Sequence, residues 1–207
     1  KQKTAYEIPK RDWSSDVCSS DLDHLQGGAT VAIVGAGAVG LMVGLLTRAQ
    51  ASATVEIVEP DAARAALARD LGFRVASSVA QAREAALVFE ASGRPEGLVA
   101  ALELAAFEAT IVALSWFGSQ PVTLPLGGAF HSKRLTIRSS QVGVVSPARR
   151  GTVSHRDRLT QALALLADPV FDRLIGEPVA FSDLPAAMPR ILSRPVTPPV
   201  TPVLYNG

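Results

Sequence analysis

The chain has 207 residues, a formal net charge of +1, 19% charged residues and a single cysteine. Such a balance leaves no electrostatic footprint for nucleic acid or an anionic membrane surface. One cysteine excludes a disulfide framework and a thiolate metal cage within the chain.

The chain opens on KQKTAYEIPKRDWSSDVCSSDL. No apolar core follows the basic start, so the stretch does not read as a secretory signal. A calcium loop running from Asp12 through Ser14 and Asp16 fails too: Val17 stands where the turn needs Gly, and Asp23 where the loop should close on Glu. Residues 12–22 resemble the in-frame translation of one arm of a common short-read sequencing adapter, and Lys1–Ile8 resemble the other arm. Pro9–Arg11 span an index-length gap between them. Residues 1–22 are therefore expected to be an artefact that packs little against the rest, with the natural sequence resuming at Asp23 and continuing upstream in the gene. Cys18 then drops out of any functional reading. His24, His131 and His155 lie far apart without ligand spacing and read as surface or packing residues.

Beyond Asp23 the pattern is α/β. Thr30–Val34, Thr54–Glu59, Leu87–Ala91 and Thr110–Leu114 read as strands, and Val39–Gln50, Asp61–Asp70 and Pro95–Ala106 as the helices between them. Asp61, after Pro60, is a good helix cap. Uniformly apolar strands imply burial on both faces, hence a parallel sheet with right-handed crossovers. The apolar and glycine run Val31–Leu46 is shorter than the roughly 20 residues of a membrane span and divides into strand, turn and helix. Further on, Leu135–Ser139 reads as another strand and Asp157–Ala167 as a helix with Leu159, Leu163 and Leu166 on one side. The domain is expected to occupy residues 23–195. The Pro-rich end, residues 196–207, is expected to be extended or loosely attached.

The chemistry lies in Gly35-Ala36-Gly37-Ala38-Val39-Gly40, which has G-x-G-x-x-G spacing between a buried strand and a helix. Gly35 permits the turn, Gly37 lets a diphosphate approach the backbone, and Gly40 lets the helix pack against the strand. Free N–H groups at the helix start, around Ala38 and Val39, favour an anion. Glu59 ends the second strand about 20 residues past the glycines, where a carboxylate accepts hydrogen bonds from ribose hydroxyls. Arg64 either lies over an adenine or is one charge on a solvated helix face. The fold class that follows is a single doubly wound (Rossmann) α/β domain with a parallel sheet.

VAIVGAGAVGLM, VEIVEPDAAR and LVFEASGRPEGLVAALELA resemble the cofactor domain of zinc-dependent medium-chain alcohol dehydrogenases. TIVALSWFG and GGAFHSKRLTIRSSQVG extend the likeness, the latter towards a bacteriochlorophyllide hydroxyethyl dehydrogenase-like subgroup. The resemblance runs from about Gly28 to about Leu192. It implies a pyrophosphate on the glycine turn, with Glu59 and Arg64 at the adenosine ribose. It also implies Ser92 and Gly93 lining the cofactor cleft, and Leu114 and Ser115 beside the nicotinamide ribose. Ser92-Gly93 reads equally as a plain turn. The Glu59 carboxylate, which would repel a 2′-phosphate, favours NAD over NADP, and the lack of cysteine beyond Cys18 makes a cytoplasmic location the default. The resemblance further implies a small alcohol or carbonyl substrate and a homodimer paired through Leu135–Ser139. The family carries its catalytic zinc on an N-terminal domain with Cys, His and Glu ligands, and nothing from Asp23 on resembles that domain. Hence the expectation is a fragment holding the cofactor, inactive alone, with catalytic residues and zinc elsewhere. Two other functions fit a glycine turn followed by an acidic strand end. One is a non-catalytic redox-sensing NAD module. The other is an S-adenosylmethionine-dependent methyltransferase, which usually lacks the full three-glycine spacing.

Overall fold

The computed structural model of the chain describes residues 28–50, 53–140, 145, 151–193 and 197–205. The leader of residues 1–22, the start at Asp23 and the domain boundary at Pro195 lie outside the described residues.

Strands and helices alternate along the first half: β1 (Thr30–Val34), α1 (Ala38–Gln50), β2 (Thr54–Val58), α2 (Ala62–Asp70), β3 (Arg74–Ala76), β4 (Ala85–Glu90), α3 (Pro95–Leu104) and β5 (Ala105–Ala113). With β6 (Thr136–Ser139) the strands form one six-stranded parallel sheet in the order β3-β2-β1-β4-β5-β6. Alternate residues of each strand enter opposite layers of the core. Val31 and Ile33 of β1 pack with Leu41, Val55, Ile57, Leu87 and Phe89 on one face. Ala32 and Val34 pack with Val58, Val88, Leu98, Leu102 and Ile111 on the other. Burial of both residue sets explains why the strands show no polar alternation. The chain leaves β1 towards β2 and β3, then returns on its other side with β4, so the strand order reverses between β1 and β4.

Local chemistry sets most helix starts. The Asp61 carboxylate accepts the Arg64 N–H at 2.9 Å, capping α2. Pro95 occupies the first turn of α3, where a missing N–H costs nothing. The Ala-rich stretch expected to carry this helix to Ala106 turns into strand at Ala105 instead. Ala105 pairs with Ala85, and the register shifts before Leu87 meets Thr110. Glu108 bridges the shift with a φ of 59°, and its N–H is held by the Lys133 carbonyl at 2.7 Å. Sheet pairing overrides helix propensity here. The short strand β3 escaped the sequence pattern because only Ala76 of its residues is buried. Its Arg74 pairs with buried Glu56 of β2 at 2.9 Å.

The later part is built more loosely on the sheet. Helix α4 (His155–Leu165) starts two residues before the expected Asp157, because Ser154 and Asp157 form a reciprocal capping box. Its leucine stripe is not buried among the described residues: Leu159, Leu163 and Leu166 are all exposed. Strand β7 (Val179–Ala180), helix α5 (Leu184–Leu192) and strand β8 (Val203–Leu204) complete the fold. Pro185 at the start of α5 and Pro189 within it hid that helix from a periodicity reading. The described part of the Pro-rich end, residues 197–205, is held rather than loose. Val200 bridges Ile175, β8 pairs with β7, and the Phe181 and Tyr205 rings stack at 4.7 Å. Among the described residues no helix is long and apolar enough to cross a membrane.

Candidate functional site

Ligand sites in open parallel sheets form outside the carboxyl ends of the strands where the order reverses. A cleft of about 900 Å³ opens at that point, over the ends of β1, β2, β4 and β5. Gly35, Gly37, Ala38, Val39, Glu59, Arg64, Ser92, Gly93, Leu114 and Ser115 all line it. Gly40, the remaining residue expected there, is buried behind the turn and does not face the cleft.

The three glycines do different work. Gly35 has a φ of +102°, and an added Cβ would sit 2.8 Å from the Ser92 Cα and 3.0 Å from the Ala91 carbonyl. Both the left-handed backbone and the close approach of the β4 end demand Gly. A Cβ at Gly40 would overlap the Gly35 carbonyl oxygen, and the nearest strand atom, Ile33 Cγ2, lies 3.4 Å away. Gly40 therefore serves chiefly the contact of helix with turn, and only secondarily the contact of helix with strand. At Gly37 an added Cβ meets no protein atom within 4 Å. What it would enter is the cleft, which fits a backbone left bare for a ligand.

Glu59 is 5% exposed and both its carboxylate oxygens are engaged. Oε2 accepts the Ala36 N–H at 2.8 Å and Oε1 accepts the Asp61 N–H at 2.9 Å. The carboxylate thus ties the glycine turn to the start of α2, which fixes its own orientation. Each oxygen keeps a lone pair for a further donor. Beside it, the Arg64 Nε is buried with no protein partner. A buried unpaired guanidinium nitrogen in the cleft wall suits an acceptor such as a ribose or phosphate oxygen. On the other side, the Ser115 hydroxyl accepts the Gly93 N–H at 2.8 Å, linking the β5 end to the β4 turn.

Sequence reasoning missed Ser77 and Ser78 after β3, and Arg94, Glu96 and Gly97 at the start of α3, all of which line the cleft. It also missed Glu90, wholly buried beneath the Ser92 turn. A signal was present: TVEIVE and ALVFE are both apolar strands that end in Glu. Among the described residues, no group of three or more His, Cys, Asp or Glu is placed to hold a metal ion.

No family model matches the chain, and no curated protein matches it. Solved structures do. The 2R,3R-butanediol dehydrogenase of Bacillus subtilis matches at a TM-score of 0.68 and 17% identity, over 96% of this chain and 56% of that one. An alcohol dehydrogenase of Thermotoga maritima matches at 0.72 and 17% identity, over 93% of this chain and 54% of that one. A short chain alcohol dehydrogenase of Escherichia coli complexed with NADH matches at 0.68 and 17% identity, over 99% of this chain and 60% of that one. The chain has a Rossmann fold. It spans a little over half the length of the dehydrogenases whose fold it shares.

Proposed function

We propose that this Rossmann domain is the NAD-holding part of an oxidoreductase that moves hydride between a nicotinamide cofactor and an alcohol or carbonyl substrate. One observation carries the reading: the bare Gly37 backbone, the anchored Glu59 carboxylate and the unpaired Arg64 Nε all border one cleft at the β1/β4 reversal. The helix start at Ala38 would attract the diphosphate, through free N–H groups and the helix dipole. Glu59 and Arg64 would hold the adenosine ribose. Ser92, Gly93, Leu114 and Ser115 would border the nicotinamide half. The cofactor, when bound, supplies the hydride chemistry, while the protein supplies position and exclusion of water. Polarisation of the substrate oxygen by zinc belongs, in this proposal, to a part of a longer parent that bears Cys, His and Glu ligands. The chain alone would bind cofactor and turn over no alcohol. We further propose a cytoplasmic parent that dimerises through β6, the edge strand of the sheet.

NAD should be preferred to NADP, because the Glu59 carboxylate accepts ribose hydroxyls and repels a 2′-phosphate. Lost hydroxyl bonds and repulsion in a partly desolvated cleft should together cost about 2–4 kcal/mol, roughly 30- to 1000-fold in affinity. Arg64 opposes this if its guanidinium swings to the phosphate, but its long side chain is the less fixed of the two. The test is titration of NADH, NADPH and S-adenosylmethionine into the chain and into Glu59→Gln. Gln can accept only one of the two N–H groups that Glu59 holds, so the variant should bind both dinucleotides less well while its ratio of NADPH to NADH affinity rises. Equal affinities in the unmodified chain would remove Glu59 from this role. Binding of S-adenosylmethionine in place of either dinucleotide would replace the whole reading.

A further inference from the structure

Two buried carboxylates flank the glycine turn, one on each side. The sheet order β2-β1-β4 puts Glu59 at the end of β2 and Glu90 at the end of β4, with Gly35 after β1 between them. They share a local pattern. The Asp61 N–H donates to Glu59 Oε1 at 2.9 Å, and the Ser92 N–H donates to Glu90 Oε1 at 2.8 Å. Each carboxylate thus closes a turn two residues on. Their second oxygens differ. Glu59 Oε2 binds Ala36, whereas Glu90 Oε2 is buried without a partner. A fully buried acidic side chain with one idle oxygen is a costly residue for mere filling.

From Glu90 a continuous chain of contacts reaches the cleft. The Ser92 hydroxyl donates to Glu90 Oε1 at 2.6 Å and accepts the Arg94 N–H at 3.0 Å. Gly93, next to it, donates its N–H to the Ser115 hydroxyl at 2.8 Å. Clearances on both sides are tight. A Cβ at Gly97 would overlap the Ser92 hydroxyl, and a Cβ at Gly35 would lie 2.8 Å from the Ser92 Cα. The Ser92–Arg94 turn is therefore wedged between the glycine turn and α3, with its orientation set by Glu90. Because Gly93 holds Ser115, that orientation also reaches the β5 side of the cleft.

We propose that Glu90 is a positioning residue for the half of the ligand that crosses from the glycine turn to Ser92 and Ser115. Glu59 serves the other half. This rests on the dinucleotide reading above. If Glu90 acts this way, its loss weakens a whole dinucleotide but leaves a mononucleotide on the Glu59 side unaffected. General loosening of the fold would instead move both or neither.

The experiment is titration of NADH and of AMP into the chain and into Glu90→Met, Glu90→Gln and Ser92→Ala, with melting temperatures measured alongside. Met fills similar volume without the two bonds. Gln can turn its carbonyl to Ser92 and its amide to the idle side, so it meets no opposing donor there, unlike Gln at position 59. We expect Glu90→Met and Ser92→Ala to bind NADH roughly tenfold more weakly, the scale of about one hydrogen bond to a charged group. AMP affinity should stay unchanged, and Glu90→Gln should restore NADH binding. Ser92→Ala keeps the measurement decisive should Glu90→Met fail to fold. Undiminished NADH binding in Ser92→Ala, equal losses for AMP and NADH, or failure of Gln to restore binding would each overturn the proposal. An unmodified chain that binds AMP and NADH equally would overturn it too, since no second half is then held. Absence of any nucleotide binding by the unmodified chain would instead overturn the dinucleotide reading beneath it.

Discussion

At the scale of single residues, the glycine turn separates folding from ligand binding. Gly37 faces open cleft, whereas Gly40 faces a carbonyl oxygen. Gly37→Val should therefore leave the chain folded, with stability within about 0.5 kcal/mol of the parent. It should lower cofactor affinity at least tenfold, about 1.4 kcal/mol. Gly40→Ala should do the reverse at first order, destabilising by about 1–3 kcal/mol through overpacking against backbone. Urea unfolding and NADH titration of the two variants check this, and equal loss of stability in both would contradict it. The spacing of the motif located the turn. It did not say which neighbour each glycine meets, because Ser92 and Ala91 reach Gly35 only through the pairing of β1 with β4. Glu90 was only half legible for the same reason: the sequence shows an apolar strand ending in Glu, but only tertiary contact distinguishes a buried, turn-holding carboxylate from a solvated strand end.

At the scale of elements, legibility followed burial. The strands β1, β2, β4 and the core of β5 were readable because both faces are covered and their composition is largely apolar and rich in β-branched residues. Strand β3 was not, being short and mostly uncovered, and α5 was masked by its prolines. The start of α4 was misplaced because Asp157, the third residue of the capped first turn, was read as the first residue of the helix. That box makes a pH prediction. The Ser154 hydroxyl and then the Ser154 N–H, both hydrogen-bonded to the Asp157 carboxylate, hold its pKa below the ordinary value of 3.8. A lowered carboxylate pKa stabilises the folded helix end above the unfolded value, and that contribution is lost as pH falls through the lower folded value. Amide protection at the first turn of α4 should thus be constant above about pH 5 and decline below about pH 4, before any global acid transition. Ser154→Ala should raise the Asp157 pKa and bring fraying at neutral pH. Followed by NMR, an Asp157 titration unmoved by Ser154→Ala would show that the capping box does not set it.

At the scale of the whole molecule, the sheet ends differ. Strand β3 closes one edge with three residues, one of them the charged Arg74 paired to Glu56. Short, charged edges resist pairing with another chain. At the other edge, β6 presents Thr136–Ser139 beyond β5, with Ile137 packed against the core beneath it. A parallel sheet can extend across a two-fold axis only by antiparallel pairing of identical edge strands, which covers unpaired N–H and C=O groups on both copies at once. The proposed dimer through β6 uses that geometry. Thr136 is exposed, so Thr136→Lys leaves the core intact while adding a positive charge to the edge that would meet its copy, an edge that already carries Arg138. Dimerisation should then weaken about tenfold, ~1.4 kcal/mol, and recover as salt screens the repulsion. NADH affinity should not change, because β6 does not line the cleft. Sedimentation velocity across a concentration series of both chains measures this. An unmodified chain that stays monomeric at high concentration would rule out the β6 dimer, and a Thr136→Lys dimer as tight as the parent would move the interface elsewhere on the surface.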